Sequence, residues 1–280
     1  MTSRVGADRN TLFASRKTAV TQTPIYLRRH DHFAELVLNR PERRNALSAQ
    51  MWSALPDLLD EAANDPSIKL LLVRGEGGAF TAGADISEFE TVYATAEAAD
   101  AYTKAIARGL DGLAHFSKPT LAVIRGACVG GGCGLALSCD LRFAASDSVF
   151  GITPAKLGLA YTLNDTKRLI DAVGVSVAKD LLYSARLVEA AEALDIGLIN
   201  RCFAADRLDA EVEAFVETML SRSTASARAI KRTIHLIRAG VDHDTDETRQ
   251  LFLDAFRSDD FQEGYRAFLA KRTPDFTGKS

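Results

Sequence analysis

The sequence predicts an α/β fold followed by a helical C-terminal region. In the first part of the chain, short apolar runs typical of buried strands alternate with apolar residues at helical spacing. Turn-forming segments such as Asn39-Arg-Pro and Ser117-Lys-Pro separate these runs. Beyond about Val173 the apolar spacing is helical throughout. Alternating strands and helices are typical of an α/β architecture, and the later stripes indicate additional helices.

The first strand–helix cycle lies between residues 34 and 73. Ala34–Leu38 alternates as a strand does, and Ser48 is placed to cap a helix whose apolar residues recur at helical spacing. Pro56 is expected to kink that helix, and Asn64-Asp-Pro is expected to end it. The segment Ile68–Val73, apolar except for Lys69, then predicts a buried strand.

A second cycle follows on the same plan. Asp85 and Glu88 have the spacing of a capping box, which predicts a helix immediately after Ala84. The further predicted elements are a helix at 101–116, a strand at 120–124, a helix from 135, a strand at 141–145, and amphipathic helices at 208–219, 230–237, 251–256 and 261–269. We therefore expect a flexible extension at 1–22, an α/β core at 23–205 and a helical region at 206–280.

Composition excludes several classes of protein. The 280 residues are 47% hydrophobic and 25% charged, with a net charge of −3, which is ordinary for a globular protein and disfavours a nucleic-acid binder. No apolar run reaches the ~20 residues of a transmembrane helix, and the start lacks the apolar core of a secretory signal. The four cysteines form no CxxC pair, which favours reduced, buried thiols in a cytoplasmic protein.

Common cofactor and nucleophile signatures are absent from the sequence. There is no GxGxxG or GxxxxGK loop to hold a phosphate and no GxSxG nucleophile elbow. The five histidines do not have the spacing of metal ligands. We expect neither a separate cofactor nor a metal.

Two strand-to-helix junctions carry the functional signal. Gly78–Ile86 and Gly126–Gly134 each place small residues where a helix begins and backbone N–H groups have no helical partner. Glycine and alanine let a substrate approach the backbone closely. If the junctions meet in space, one N–H from each can bind a developing oxyanion. The structural alternative is that the glycines only permit tight packing of helix on strand.

Four segments in order resemble the crotonase (enoyl-CoA hydratase/isomerase) superfamily: LNRPERRNALS at 38–48, GGAFTAGADI at 77–86, KPTLAVIRGACVGGGCGLALSCDLRFAAS at 118–146 and RLVEAAEALDIGLIN at 186–200. The resemblance implies a spiral of ββα units forming two nearly perpendicular sheets. It also implies a C-terminal helical trimerisation region, and a homotrimer or a dimer of such trimers. The implied substrate is an acyl-CoA thioester, so that coenzyme A belongs to the substrate.

The resemblance also assigns roles by position. The backbone N–H groups of Ala84 and Gly131 would form the oxyanion hole. The turn at 43–46 and the segment at 82–86 would border the substrate, with Phe268 and Lys271 reaching the coenzyme A of a neighbouring subunit. The substrate-binding residues implied in this way are Arg44, Ala46, Ala82, Asp85, Ile86, Phe268 and Lys271.

This chain departs from the family at the acid–base positions. Gly134 and Pro154 stand where hydratases of the family carry glutamates, and neither residue can transfer a proton. The segments at 150–169 and 258–276 resemble the malonyl-type acyl-CoA decarboxylases of the superfamily, which share Thr153 and Tyr161. However, those decarboxylases carry a histidine where this chain has Ala84, and they retain the first glutamate.

Tyr161 would orient a substrate carboxylate or protonate C2, or would be a core tyrosine with a satisfied hydroxyl. Lys156, or the polar set at 164–166, would reach the acyl pocket or lie in a solvated loop.

Three hypotheses remain open. The first is a decarboxylase or other lyase that forms a thioester enolate. The second is a hydratase or isomerase with relocated acid–base groups, and the third is a non-catalytic acyl-CoA-binding protein.

Overall fold

The computed structural model describes residues 23–276, so the extension predicted at 1–22 lies outside the described residues. The strands are β1 Ile25–Arg29, β2 Phe33–Leu38, β3 Leu70–Gly75, β4 Thr120–Ile124, β5 Ala127–Val129, β6 Leu141–Ala145, β7 Val149–Gly151, β8 Leu187–Glu189 and β9 Arg201–Phe203. The α-helices are α1 Ala49–Asn64, α2 Phe89–Val92, α3 Ala96–Ala114, α4 Gly131–Leu137, α5 Leu163–Ser184, α6 Ala190–Asp195, α7 Leu208–Leu220, α8 Thr224–Arg238, α9 Asp246–Arg257 and α10 Asp259–Leu269.

The larger sheet has six strands in the order β1-β2-β3-β4-β6-β9, and every pairing except β1 with β2 is parallel. Alternate residues of β3 enter different cores: Leu71 and Val73 pack with α1, whereas Leu70 and Leu72 pack with α7. Both faces of the sheet are therefore covered by helices. For this reason the sequences of its central strands are nearly continuous apolar runs.

A smaller sheet contains β5, β7 and β8. Two isolated bridges hold the loop that follows β3: Thr81 pairs with Cys128 of β5, at the edge of the smaller sheet, and Ala84 pairs with Leu47. This loop is thus held between the smaller sheet and the segment that precedes α1. The two sheets with their surrounding helices confirm the predicted α/β class.

Asp85 and Glu88 do not form the capping box that their spacing predicts. Ser48 caps α1 as predicted, and the Glu88 carboxylate accepts a bond of 2.7 Å from the N–H of Ala49. Asp85 caps a short 3₁₀ turn at 86–88, ahead of α2. The capping-box prediction was therefore wrong for Glu88, because its carboxylate serves another helix. α1 continues through Pro56.

Two predicted helix starts were late. α4 begins at Gly131 rather than at residue 135, since the glycines themselves form its first turn. A Cβ on Gly132 would lie 2.7 Å from Cγ2 of Thr81, so only glycine allows this approach. α3 begins at Ala96, five residues before the predicted start, with Thr95 as its cap.

The prediction of an all-helical chain beyond Val173 was wrong, because β8 and β9 complete the two sheets. Each has three residues, too few to show an alternating pattern. The four later helices are present, and α8 and α9 likewise begin before the predicted starts at 230 and 251. Lys231 of α8 ties them to the core through bonds of 2.7 Å to the Asp140 carboxylate and 2.9 Å to the Lys118 carbonyl.

Apolar side chains remain exposed on the C-terminal helices, including Ile230, Ile237, Phe252 and Phe268. Such a surface is suited to subunit contacts, and the trimer or hexamer stays a prediction. Within residues 23–276, none of the helices combines the length and apolar character required to cross a bilayer.

Candidate active site

The turn at 43–46 holds the loop after β3 in place. Asn45 is fully buried, and its side-chain amide donates to the carbonyls of Ala79 at 2.7 Å and Glu76 at 2.9 Å. The N–H of Ala82 donates to the Arg44 carbonyl at 2.9 Å. These bonds connect the RNAL segment to the GGAFTAGADI segment, so the two motifs form one structural unit.

Ala84 lies at the end of this loop with its neighbours already paired. The Leu47 N–H donates to the Gly83 carbonyl at 2.8 Å, and the Asp85 N–H donates to the Leu47 carbonyl at 2.9 Å. The Ala84 N–H itself meets no acceptor among residues 23–276. Gly83 has a φ of 98°, and a Cβ there would lie 2.7 Å from the Val129 carbonyl oxygen, so this turn requires glycine.

The second amide belongs to Gly131, the first residue of α4. Its N–H precedes the helical hydrogen bonds and also meets no acceptor in the described part of the chain. A Cβ built on Gly131 would lie only 3.8 Å from the Ala84 nitrogen. The structure therefore brings together the two unpaired N–H groups that the sequence assigned to an oxyanion hole.

Apolar side chains border the two amides. The indole of Trp52 and the side chain of Leu47 would lie 3.3 and 3.7 Å from a Cβ on Gly131, and both residues are almost fully buried. An apolar wall lowers the local dielectric constant and strengthens the interaction of an N–H with a negative oxygen.

Gly134 lies one turn further along α4, and a carboxylate from another helix lies beside it. This carboxylate, on Asp165, was not singled out as an acid–base group from the sequence. A Cβ on Gly134 would lie 3.9 Å from Oδ1 of Asp165, which is 8% exposed. The sequence placed residues 164–166 in a polar loop, but they form the first turn of α5, capped by Thr162. The Thr162-x-x-Asp165 spacing ahead of Leu169 was the available helix-start signal.

Asp165 is held in a defined position by two neighbours. The Thr162 hydroxyl donates to its carboxylate at 2.8 Å, and the Arg168 guanidinium lies 2.9 Å from Oδ1. Arg168 also pairs with Asp111 of α3. These contacts fix the orientation of the Asp165 carboxylate.

Tyr161 and Thr153 lie beside Gly130. The Tyr161 hydroxyl donates a hydrogen bond of 2.6 Å to the Gly130 carbonyl oxygen. Burial raises the pKa of Tyr161 well above its usual value, so the phenol keeps its proton. Thr153 Oγ1 would lie 3.6 Å from a Cβ on Gly130, and Pro154, which has no ionisable group, begins a 3₁₀ turn that also contains Lys156.

The remaining predicted substrate-binding residues divide into two groups. Asp85 is buried, and its carboxylate is engaged by Ser87 at 2.6 Å and Arg40 at 2.8 Å, which lowers its pKa. The others are accessible to a ligand: Arg44, Ala82, Ile86, Lys156, Phe268 and Lys271 are exposed, and Ala46 is partly exposed. Their roles stay predictions, as does the contact of Phe268 and Lys271 with a neighbouring subunit.

Metal ligands do not cluster in the described part of the chain, where no three His, Cys, Asp or Glu side chains converge. All four cysteines are free. Cys128, Cys133 and Cys139 are buried, and Cys202 is partly exposed.

Known proteins resemble this chain over nearly its whole length. A family model described as "Enoyl-CoA hydratase/isomerase" matches residues 28–279. A Mycobacterium tuberculosis protein named as a probable enoyl-CoA hydratase is 35% identical over 92% of this chain and 99% of its own. The crotonyl-CoA hydratase of Syntrophomonas wolfei is 34% identical over 91% of this chain and 98% of its own. The crystal structure of an enoyl-CoA hydratase/isomerase family protein from Hyphomonas neptunium has a TM-score of 0.89 at 47% identity, covering 92% of this chain and 98% of that one.

Proposed function

Because the chain belongs to the enoyl-CoA hydratase/isomerase family, we propose that it is an acyl-CoA enzyme that transfers a proton at an enoyl thioester with Asp165 as the base. The structural similarity confirms the crotonase fold that the motifs predicted. The names of the relatives favour hydratase and isomerase chemistry over the decarboxylase branch. That preference concerns the reaction only, since both readings share the thioester substrate.

The observation that carries the proposal is the convergence of the Ala84 and Gly131 amides. Removal of a proton next to a thioester carbonyl places negative charge on the carbonyl oxygen. Two N–H groups aimed at that oxygen stabilise the enolate more than the neutral thioester, so they lower the barrier. A single donor of this kind contributes about 3–4 kcal/mol to transition-state stabilisation.

Asp165 supplies the acid–base group that Gly134 lacks. Its carboxylate occupies space within 3.9 Å of the position a Gly134 Cβ would take, and Oδ1 is paired with the Arg168 guanidinium at 2.9 Å. In an isomerisation, Asp165 removes the C2 proton of a 3-enoyl thioester, the amides hold the dienolate, and Asp165 returns the proton to C4. One carboxylate is sufficient for this 1,3-transfer, whereas hydration also needs a group to position water.

Decarboxylation is a second candidate, favoured by the absence of a carboxylate at both Gly134 and Pro154. Loss of CO₂ from a 2-carboxyacyl thioester leaves its electron pair on C2 as the enolate, and no base is required. The same two amides would stabilise that enolate. Thr153 and Tyr161 lie near the site, but the Tyr161 hydroxyl already donates to Gly130.

A panel of CoA thioesters tests the proposal. Purified protein is incubated with crotonyl-CoA, a 3-enoyl-CoA and a malonyl-type CoA, and the products are identified by mass spectrometry. We expect conversion of the 3-enoyl thioester to the 2-enoyl thioester. Asp165→Asn should lower this rate by about 100-fold or more. Asp171→Asn, on an exposed part of the same helix, is the matched control.

Three outcomes would contradict the proposal. Release of CO₂ from the malonyl-type thioester without isomerisation would favour the decarboxylase. Rapid hydration of crotonyl-CoA with Asp165→Asn unaffected would remove Asp165 as the base. Stoichiometric binding of the thioesters without any product would favour a non-catalytic acyl-CoA-binding protein.

A further inference from the structure

We propose that Tyr161 is a positioning residue of the oxyanion hole, whose hydroxyl orients and polarises the peptide group between Gly130 and Gly131. The inference rests on the proposed function, because it concerns one of the two proposed oxyanion donors. It assigns Tyr161 a role other than proton donor or carboxylate ligand.

The geometry follows from the planarity of the peptide bond. The carbonyl of Gly130 and the N–H of Gly131 belong to the same trans peptide, so they point in opposite directions from one rigid plane. The Tyr161 hydroxyl donates to the carbonyl end at 2.6 Å. A substrate oxygen would accept from the N–H end, so that both partners act on one peptide group.

Few other contacts fix the orientation of the peptide group between Gly130 and Gly131. Gly130 has φ 53° and ψ −117°, and neither it nor Gly131 has a side chain whose packing would restrict rotation. The Gly130 N–H is bound to the Gly151 carbonyl at 2.7 Å, which orients the preceding peptide. The Gly130 carbonyl also accepts the first bond of α4, from Gly134, but at 3.3 Å. The bond from Tyr161 is the shorter of the two and comes from the segment that precedes α5.

The same bond makes Tyr161 poorly suited to donate a proton to the substrate. Its hydrogen is directed to the Gly130 oxygen, and burial keeps the phenol protonated. A hydrogen bond at the carbonyl of a peptide also polarises its N–H, because hydrogen bonds in a chain strengthen one another. The Gly131 N–H should therefore be a stronger donor to an enolate oxygen than an isolated amide.

The carbonyl stretching frequency of a bound thioester tests the proposal directly. The probe is an aryl-acryloyl-CoA labelled with ¹³C at the thioester carbon, measured by infrared difference spectroscopy on the full chain. In the unmodified protein the frequency should fall below its value in solution. In Tyr161→Phe it should move back towards the solution value, with kcat lowered about 5–30-fold and KM changed much less. Tyr183→Phe, an exposed tyrosine on α5, is the control.

The outcomes separate the two proposals. An unshifted frequency in the unmodified protein would contradict the proposed function itself. A shifted frequency that is the same in Tyr161→Phe would overturn only the role of Tyr161. If Tyr161→Phe does not fold, replacement of Tyr161 by a fluorotyrosine provides a stronger donor of nearly the same shape. The fluorotyrosine should lower the carbonyl stretching frequency of the thioester further. An unchanged frequency in the fluorotyrosine protein would also overturn the positioning role of Tyr161.

Discussion

Gly134 and Asp165 face each other across the contact between α4 and α5, with 3.9 Å between Oδ1 of Asp165 and the position that a Gly134 Cβ would occupy. The other neighbour of that position is Cδ1 of Leu110, at 3.4 Å. Both distances are ordinary van der Waals contacts. A side chain at 134 is therefore sterically possible, and the carboxylate found at this point comes from the opposite helix.

Gly134→Glu should add hydratase activity. The new carboxylate would lie next to Asp165, and the repulsion between two carboxylates raises the pKa of one of them. The site would then hold one base and one acid, and hydration of crotonyl-CoA should increase by about 100-fold. The measurement is the loss of enoyl-thioester absorbance.

Gly134→Ala is the control, because it adds the Cβ without the carboxylate. Replacing a helical glycine by alanine should also raise the free energy of unfolding by up to ~1 kcal/mol. Equal hydration rates in the two variants would show that the position is not connected with the reaction.

Gly131→Pro should abolish turnover while the protein stays folded. Proline is compatible with the first position of a helix, where its missing N–H breaks no helical bond. It removes one proposed oxyanion donor, so kcat should fall by about 100-fold or more. Steady-state kinetics together with a circular dichroism spectrum test this prediction.

Gly131→Ala keeps the N–H and adds only the Cβ, which would lie 3.3 Å from the Trp52 indole. It therefore measures the effect of crowding alone. A proline variant that is no slower than the alanine variant would contradict the assignment of Gly131 as a donor.

Glu35 should make stability depend on pH. Burial alone would raise its pKa, but a bond from His30 and the charges of Arg74 and Arg28 outweigh burial and lower the pKa to about 2, from an ordinary 4.5. Because the pKa is lower in the folded state, the stabilisation is complete above about pH 4.5. It is lost as the pH falls towards 2.

Glu35→Gln should therefore lower the free energy of unfolding by about 3 kcal/mol at pH 7, and by less at pH 3. Urea denaturation at several pH values measures the difference. Glu61→Gln, at an exposed carboxylate, should change stability by less than about 1 kcal/mol. A penalty for Glu35→Gln that is the same at pH 7 and pH 3 would contradict this account.

The cysteines should differ in reactivity. Burial raises the pKa of Cys139 to about 12 and raises that of Cys128 as well. An aromatic disulfide reagent should therefore label Cys202 first in the native protein and all four thiols after denaturation. Mass spectrometry of labelled peptides identifies the order, and early labelling of Cys128 would contradict the buried position of that thiol.

The sequence predicted those parts of the fold where apolar spacing is long and regular. The strand at 68–73 and the helix after Ser48 were recognisable because each presents several apolar residues with one period. β8 was missed because it has three residues, of which only Val188 is buried. Asp165 was not singled out because its proximity to Gly134 depends on how α5 packs against α4, and no local pattern encodes that packing.

The proposed oxyanion donors of Ala84 and Gly131 belong to the main chain, and so do the bonds that Leu47 makes with Gly83 and Asp85. Codon changes to any residue except proline replace a side chain but leave the backbone N–H in place. During divergence of a gene, every ionisable side chain of such a site can be exchanged while the capacity to hold a thioester oxygen is inherited. In the proposed site, glycine at 134 and proline at 154 would therefore leave both backbone donors in place, and Asp165 would supply a carboxylate from the neighbouring helix.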